Sequence, residues 1–279
     1  MMKRIIGRLD IKGPNLVKGI HLEGLRVLGD PQSYAQQYAK DGIDELLLQD
    51  VVASLYDRNS LHDIVKGIAQ NIFVPITAGG GIRTISDIRE LLKSGADKVS
   101  INSEAIKNPK FITKASNYFG SSTIVVAIEY IRHRDGSCYC YYDNGREPSG
   151  IEVMEWASRV QDLGAGEVIL TSVDRDGTKS GMDLKLISEV SRNLEIPVIA
   201  HGGIGSIDHI EEALRLDEVS ALAIASYLHY GNILKPNNDI TNKNEGNFTY
   251  LQSTDFRIKG VNVSEIKREL INRNLEVRF

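Results

Sequence analysis

The sequence predicts a single α/β domain, a (β/α)₈ (TIM) barrel made of two similar halves. Two observations predict it. The first is an internal repeat: residues 74–88 read VPITAGGGIRTISDI and residues 196–210 read IPVIAHGGIGSIDHI. Upstream, GIDELLLQD at 42–50 aligns with GAGEVILTS at 164–172. Both matches fall at one offset, since 196 − 74 = 122 and 164 − 42 = 122. Solenoid repeats have periods of about 20–50 residues, so this longer period reads as a duplicated half-barrel. The second observation is a local alternation of short apolar, β-branched runs with amphipathic stretches. An open, doubly wound sheet gives no reason for a half-chain repeat. A single barrel of roughly 250 residues also accounts for most of the 279 residues.

The elements follow in order. Strands are predicted over 4–10, 45–50, 74–78, 98–101, 123–129, 167–172, 196–201 and 220–225. Several are apolar on both faces, as parallel strands covered by helices should be. Helices are predicted over 31–41, 60–70, 86–94, 108–118, 151–163, 184–192, 207–216 and 263–272. Asp30-Pro31 reads as a helix start with proline in the first turn. Gly42, Gly95 and Gly164 stand where helix C-caps belong. Residues 131–146 carry turn signals at Asp135-Gly136 and Asp143-Asn144-Gly145, and are expected to form a hairpin after the fifth strand. Cys138 and Cys140 share one face of it. A half-buried hairpin face explains them better than a metal site, because no second ligand pair is nearby. Residues 234–260 are polar and rich in asparagine, and are expected to be an inserted surface loop before the last helix.

Composition narrows the function. Hydrophobic residues make up 42% of the chain, enough for a core, so disorder is excluded as the main state. No apolar run reaches the roughly 18 residues of a membrane span. A net charge of −4 gives no global attraction for nucleic acid or anionic lipid, so an anionic ligand has to be held locally. The N-terminus shows no signal-peptide layout, and two cysteines make no disulfide framework; a reducing cytoplasm is the expected compartment.

In this fold the active site lies at the C-terminal ends of the strands. The first strand ends at Asp10 and the fifth at Glu129, opposite positions in an eight-stranded barrel. Two carboxyls facing each other across the mouth suit acid/base work. The plainer reading is a pair of solvated strand-end carboxylates. Gly79-Gly80-Gly81 follows the third strand and His201-Gly202-Gly203 the seventh, each opening a helix. Glycines let backbone N–H groups approach a phosphate, and a helix N-terminus adds partial positive charge. Asn102-Ser103 and Ala225-Ser226, after the fourth and eighth strands, complete two cradles. A substrate with two phosphates, one per half, follows. Tight turns alone are the alternative. The polar turn Asp174-Arg175-Asp176-Gly177-Thr178 should line the same mouth. Lys18 and Thr171 complete the candidate substrate-binding set. No metal or cofactor site is visible.

The sequence resembles the HisF family, the cyclase subunit of imidazole glycerol phosphate synthase. The resemblance runs from about residue 4 to 233 and resumes in the last helix. It rests on LDIKG (9–13), VKG (17–19), GDP (29–31), AGGGIRT (78–84), GADKVSIN (95–102), GAGEVILTS (164–172), DRDGT (174–178) and IPVIAHGG (196–203). It implies a barrel working with a HisH-like glutaminase on its lower face. Ammonia released there would pass through the core and attack a bis-phosphorylated ribulosyl-formimino-aminoimidazole-carboxamide ribotide. The products would be imidazole glycerol phosphate and aminoimidazole carboxamide ribotide. The family's acid/base pair falls on Asp10 and Glu129. Its charged ammonia gate falls on Arg4, Glu45, Lys98 and Glu167, each at the start of a strand. A salt-bridge cluster closing the core is compatible with that role.

The chain also departs from the family. Glu129 stands where aspartate is usual, and one methylene can displace a catalytic group by about 1 Å, enough for on the order of 10²-fold in rate. The first strand reads Ile6-Gly7-Arg8-Leu9 where proline and cysteine usually precede the leucine. Arg8 shares the face of Asp10, so it is expected to point into the barrel and either obstruct ammonia or pair with a carboxylate. His201 replaces a small residue beside the second cradle, as a cation or as filler. The 234–260 segment is extra. Such departures are similar to those of paralogues in surface-polysaccharide biosynthesis, thought to deliver ammonia to a sugar amidotransferase. The related ribotide isomerase shares the barrel and the carboxylates but needs no ammonia gate.

Overall fold

A computed structural model of the protein describes residues 2–53, 61–233 and 261–278. The predicted 234–260 insertion lies outside the described residues. Eight parallel strands close into a barrel. In chain order the strands are β1 (Arg4–Lys12), β2 (Asn15–Ile20), β3 (Glu23–Gly29), β4 (Glu45–Asp50), β5 (Ile76–Gly79), β6 (Lys98–Ile101), β7 (Ile124–Arg132), β8 (Cys138–Tyr142), β9 (Glu147–Glu152), β10 (Glu167–Ser172), β11 (Val198–His201) and β12 (Ala221–Ile224). The barrel runs β1-β4-β5-β6-β7-β10-β11-β12 and returns to β1, every pairing parallel. Helices α1 (Pro31–Lys40), α2 (His62–Ala69), α3 (Ile85–Lys93), α4 (Ser103–Lys107), α5 (Lys110–Phe119), α6 (Val153–Asp162), α7 (Leu184–Asn193) and α8 (Ile207–Leu214) lie between the strands in sequence, and α9 (Ser226–Ile233) and α10 (Val263–Asn272) follow the last strand.

The period-two geometry of a strand sorts its side chains. On β1, Ile5, Leu9 and Ile11 join the apolar layer between strands and helices. Ile6 faces inward with Leu47, Val125, Ala127, Ile169, Ile199, Ala221 and Ala223, and these fill the lumen as a separate apolar layer. Arg4, Arg8 and Asp10 share the parity of Ile6. The lumen therefore has charge at its lower end, an apolar waist, and charge again at the top.

Boundaries differ from the expectations where the backbone lacks a donor. The strands predicted from 74 and 196 start at Ile76 and Val198, because Pro75 and Pro197 precede them and have no N–H. The carbonyls of both prolines still accept from the neighbouring strand, at Leu46 N and Val168 N. The short helices α4 and α9, which follow β6 and β12, lie outside the predicted set.

The loop after β1 is a hairpin, β2 against β3, that the sequence reading does not contain. Its turn places His21 (φ 55°) and Leu22 (φ 60°) in the left-handed region. Hairpin turns of this kind usually advertise themselves through Asn-Gly or Asp-Gly, and His-Leu gives no such signal. Residues 131–146 belong to an antiparallel extension in which β7 pairs with β8 and β8 with β9. Cys138 and Cys140 are free and buried. Burial raises both thiols, Cys138 to about 11.

Candidate active site

Four side chains close the lower end of the lumen. Arg4 Nη1 meets Glu45 Oε1 at 2.6 Å, and its Nη2 meets Glu167 Oε1 at 2.5 Å. Lys98 Nζ lies 2.8 Å from Glu167 Oε2 and 3.6 Å from Glu45 Oε2. Each carboxylate thus touches both cations, and the charges cancel around a ring. The side chains of Arg4, Glu45 and Glu167 are at most 10% exposed, against 22% for Lys98. Lys98 is therefore the member with room to move. Opposite charge and mutual hydrogen bonding are what make such burial tolerable.

A second charged cluster lies above the apolar waist. Arg8 Nε donates to Asp10 Oδ1 at 2.8 Å. Lys18, carried in by β2, donates to Asp10 Oδ2 at 3.1 Å and to Asp176 Oδ2 at 2.7 Å. Asp176 sits in the turn after β10, whose backbone holds the first hairpin through His21 N to Asp176 O, 2.8 Å. His201 Nδ1 faces Ala223 O at 2.8 Å, and its Nε2 lies 3.1 Å from Asp176 Oδ1. With Nδ1 donating to a carbonyl, only a protonated Nε2 makes that approach attractive. Burial and the Arg8 charge oppose the proton and lower the His201 pKa.

The two carboxyls at the strand ends are driven apart. Burial opposes ionisation of Asp10, but Arg8 and Lys18 outweigh it and hold Asp10 at about 2. Burial pushes Glu129 up to about 7, against the pull of Arg8 and of a backbone donor. That donor is Gly145 N–H, 2.8 Å from Glu129 Oε2, at the tip of the second hairpin. Near neutrality Asp10 is ionised while Glu129 titrates, so the two carboxyls differ in protonation.

The glycine cradles repeat the sequence offset in space. A Cβ on Gly80 would meet Asp50 O at 2.4 Å, and one on Gly202 would meet Ser172 O at 2.6 Å. Both glycines have positive φ, 110° and 106°. Gly80, Gly81, Asn102, Ser103 and Glu129 line a cavity of about 60 Å³. Gly177, His201, Gly202, Gly203, Ala225 and Ser226 line one of about 10 Å³. The buried Asn102 Oδ1 has no hydrogen-bond partner, an acceptor left open beside the first cradle. Ser103 Oγ, by contrast, accepts from Asp143 N at 3.1 Å.

These predicted residues come together at the mouth. Lys18 lies between two carboxylates, Asp10 and Asp176, and also lines a cavity of about 510 Å³ with Gly177 and Tyr230. Thr171 lies inside the lumen, 3.4 Å from Arg8 Nη1. The sequence reading gave Asp143-Asn144-Gly145 as a turn but assigned it no place in the site, and it did not contain the His21-Leu22 turn. Asn144 Nδ2 donates to Leu22 O at 3.0 Å and joins the two hairpins over the mouth. Asp143 (φ 51°) and Asn144 (φ 61°) are left-handed there, a conformation asparagine and aspartate tolerate, and their turn signal is the available clue. Among the described residues no group of three His, Cys, Asp or Glu is arranged to hold a metal ion, and no helix is long and apolar enough to cross a membrane.

Fold and site together define a (β/α)₈ barrel with a duplicated glycine turn, two buried carboxyls with opposed pKa shifts and a charged ring at its base. The family model for histidine biosynthesis proteins matches residues 4–234. A Legionella pneumophila protein named imidazole glycerol phosphate synthase subunit HisF is 53% identical over 205 residues, 74% of this chain and 97% of that protein. Proteins of the same name from Hydrogenobaculum sp. and Alkaliphilus metalliredigens are 48% and 46% identical over 85% and 84% of this chain, and 94% and 93% of their own lengths. The chain belongs to the HisF family.

Proposed function

We propose that this chain is the ammonia-using cyclase subunit of an imidazole glycerol phosphate synthase. It converts the phosphoribulosyl-formimino-aminoimidazole-carboxamide ribotide to imidazole glycerol phosphate and aminoimidazole carboxamide ribotide. One observation carries the reading. The charged ring of Arg4, Glu45, Lys98 and Glu167 and two buried carboxyls with opposed pKa shifts lie at the two ends of one barrel interior, with an apolar layer between them. Ammonia enters at the ring from a HisH-like glutaminase docked on the lower face. The substrate lies across the mouth with one phosphate on Gly80, Gly81, Asn102 and Ser103. The other rests on Gly177, Gly202, Gly203, Ala225 and Ser226. Attack of ammonia on a carbonyl leaves a surplus proton on nitrogen and needs one at the departing oxygen. Asp10, ionised, takes the first, and Glu129, protonated, supplies the second.

The pairing of Arg8 with Asp10 favours a second reading, delivery of ammonia to a separate sugar amidotransferase with little cyclisation. The test separates them. Purified protein is assayed with the ribulosyl ribotide and ammonium salt, without glutaminase, by absorbance. Turnover that Asp10→Asn abolishes supports the cyclase. No turnover from folded, phosphate-binding protein overturns it in favour of ammonia delivery.

A further inference from the structure

Arg8 is a lumen residue that neither a lower gate nor an acid/base pair requires. Arg8 is rooted on β1, one inward step below Asp10, and its side chain is 4% exposed. Its Nε is tied to Asp10 Oδ1 at 2.8 Å, while Nη1 reaches Thr171 Oγ1 at 3.4 Å. Thr171 is on β10, separated from β1 by β11 and β12, and stands in register with Glu129 on β7. A side chain that starts on β1 and ends at β10 crosses the lumen instead of lining its wall. Ile6, the preceding inward residue of β1, belongs to the apolar layer, and Asp10, the next inward residue, is the first of the two carboxyls; Glu129 stands in register with Thr171, where the side chain ends.

We propose that Arg8 is a crossbar on the ammonia route, closing the lumen between its apolar waist and the carboxyls while fixing Asp10 in place. The proposal rests on the reading that ammonia travels through this lumen. The two ends of the bar are unequal. The charge-assisted contact to Asp10 is short, and the neutral contact to Thr171 is at the limit of a hydrogen bond. The bar therefore pivots on Asp10 and opens at Thr171. Arg8 is a positioning residue for Asp10, since it acts through its hydrogen bond to the Asp10 carboxylate.

Access is read directly. Ala127 faces the lumen two residues below Glu129, beneath the guanidinium. In an Ala127→Cys protein, labelling at position 127 by a small methylating thiosulfonate is followed by peptide mass spectrometry, with the buried Cys138 and Cys140 as internal controls. Arg8→Ala in that background is expected to raise the labelling rate at 127 by about tenfold or more, as removal of a closed barrier should. Arg8→Lys, shorter by reach but still charged, is expected to fall between. If Arg8→Ala does not fold, Arg8→Met, which lacks the contact to Thr171, replaces it. In the ammonium-driven assay Arg8→Ala is expected to lower kcat by about tenfold or more while the ribotide KM stays within about threefold, with partial rescue by Arg8→Lys. Labelling at 127 that is unchanged by loss of the arginine overturns the crossbar. A wild type that labels slowly but never cyclises overturns the cyclase reading instead and leaves the crossbar standing.

Discussion

Glu129→Gln tests the central electrostatic claim, because its effect has a sign that depends on pH. Burial lifts the Glu129 carboxyl to about 7, from 4.5 for an ordinary glutamate. The folded chain therefore keeps a proton that the unfolded chain sheds between those values. Stability from this group is fully present below about pH 4.5 and is lost as pH rises through about 7. At about 1.4 kcal/mol per pH unit, the loss amounts to about 3 kcal/mol. Glutamine cannot ionise, and its carbonyl oxygen can still accept from Gly145 N. The variant should match the wild type at pH 4.5 and exceed it by up to about 3 kcal/mol at pH 8. Urea unfolding of both proteins at the two pH values measures this, and the same variant should lose cyclisation. Equal stability differences at both pH values would refute the argument that Glu129 is held protonated by desolvation.

Three further outcomes are expected. Arg4→Ala leaves two buried carboxylates sharing Lys98 alone, and should cost about 3–5 kcal/mol in chemical unfolding; a loss below about 1 kcal/mol would mark the ring as solvated in practice. Gly80→Ala and Gly202→Ala each drive a Cβ against a carbonyl oxygen and force alanine to positive φ, a strain of about 1–3 kcal/mol. Each should weaken inorganic phosphate binding by calorimetry at its own cradle, leaving a single residual site. Asn144→Ala removes the bond to Leu22 O, worth about 1 kcal/mol. Amide exchange over residues 15–29 should quicken while the barrel strands stay protected; uniform exchange across the chain would deny the hairpin clasp.

The sequence alone determined the barrel, because periodicity and a half-chain repeat are properties of residue order. The offset of 122 is written in the glycine motifs, and it returns in space as Gly80 on Asp50 and Gly202 on Ser172. Alternation placed Arg4, Arg8 and Asp10 on one inward face, since side chains along a strand have a period of two. Only the tertiary structure decided what those charges do. Lys18 reads in sequence only as a substrate-binding candidate, and the first hairpin is what places it between Asp10 and Asp176. That hairpin turns at His21-Leu22 in left-handed backbone, where local residue preference gives no signal, and it is held by Val173 O and Asp176 O from the distant loop after β10. Asp10 and Glu129 are both plain carboxylates in sequence. Their separation to about 2 and about 7 comes from which partners burial leaves beside each: two cations for one, a backbone amide and a more distant arginine for the other. Desolvation and Coulomb interaction depend on distance in space, and residue order does not specify it.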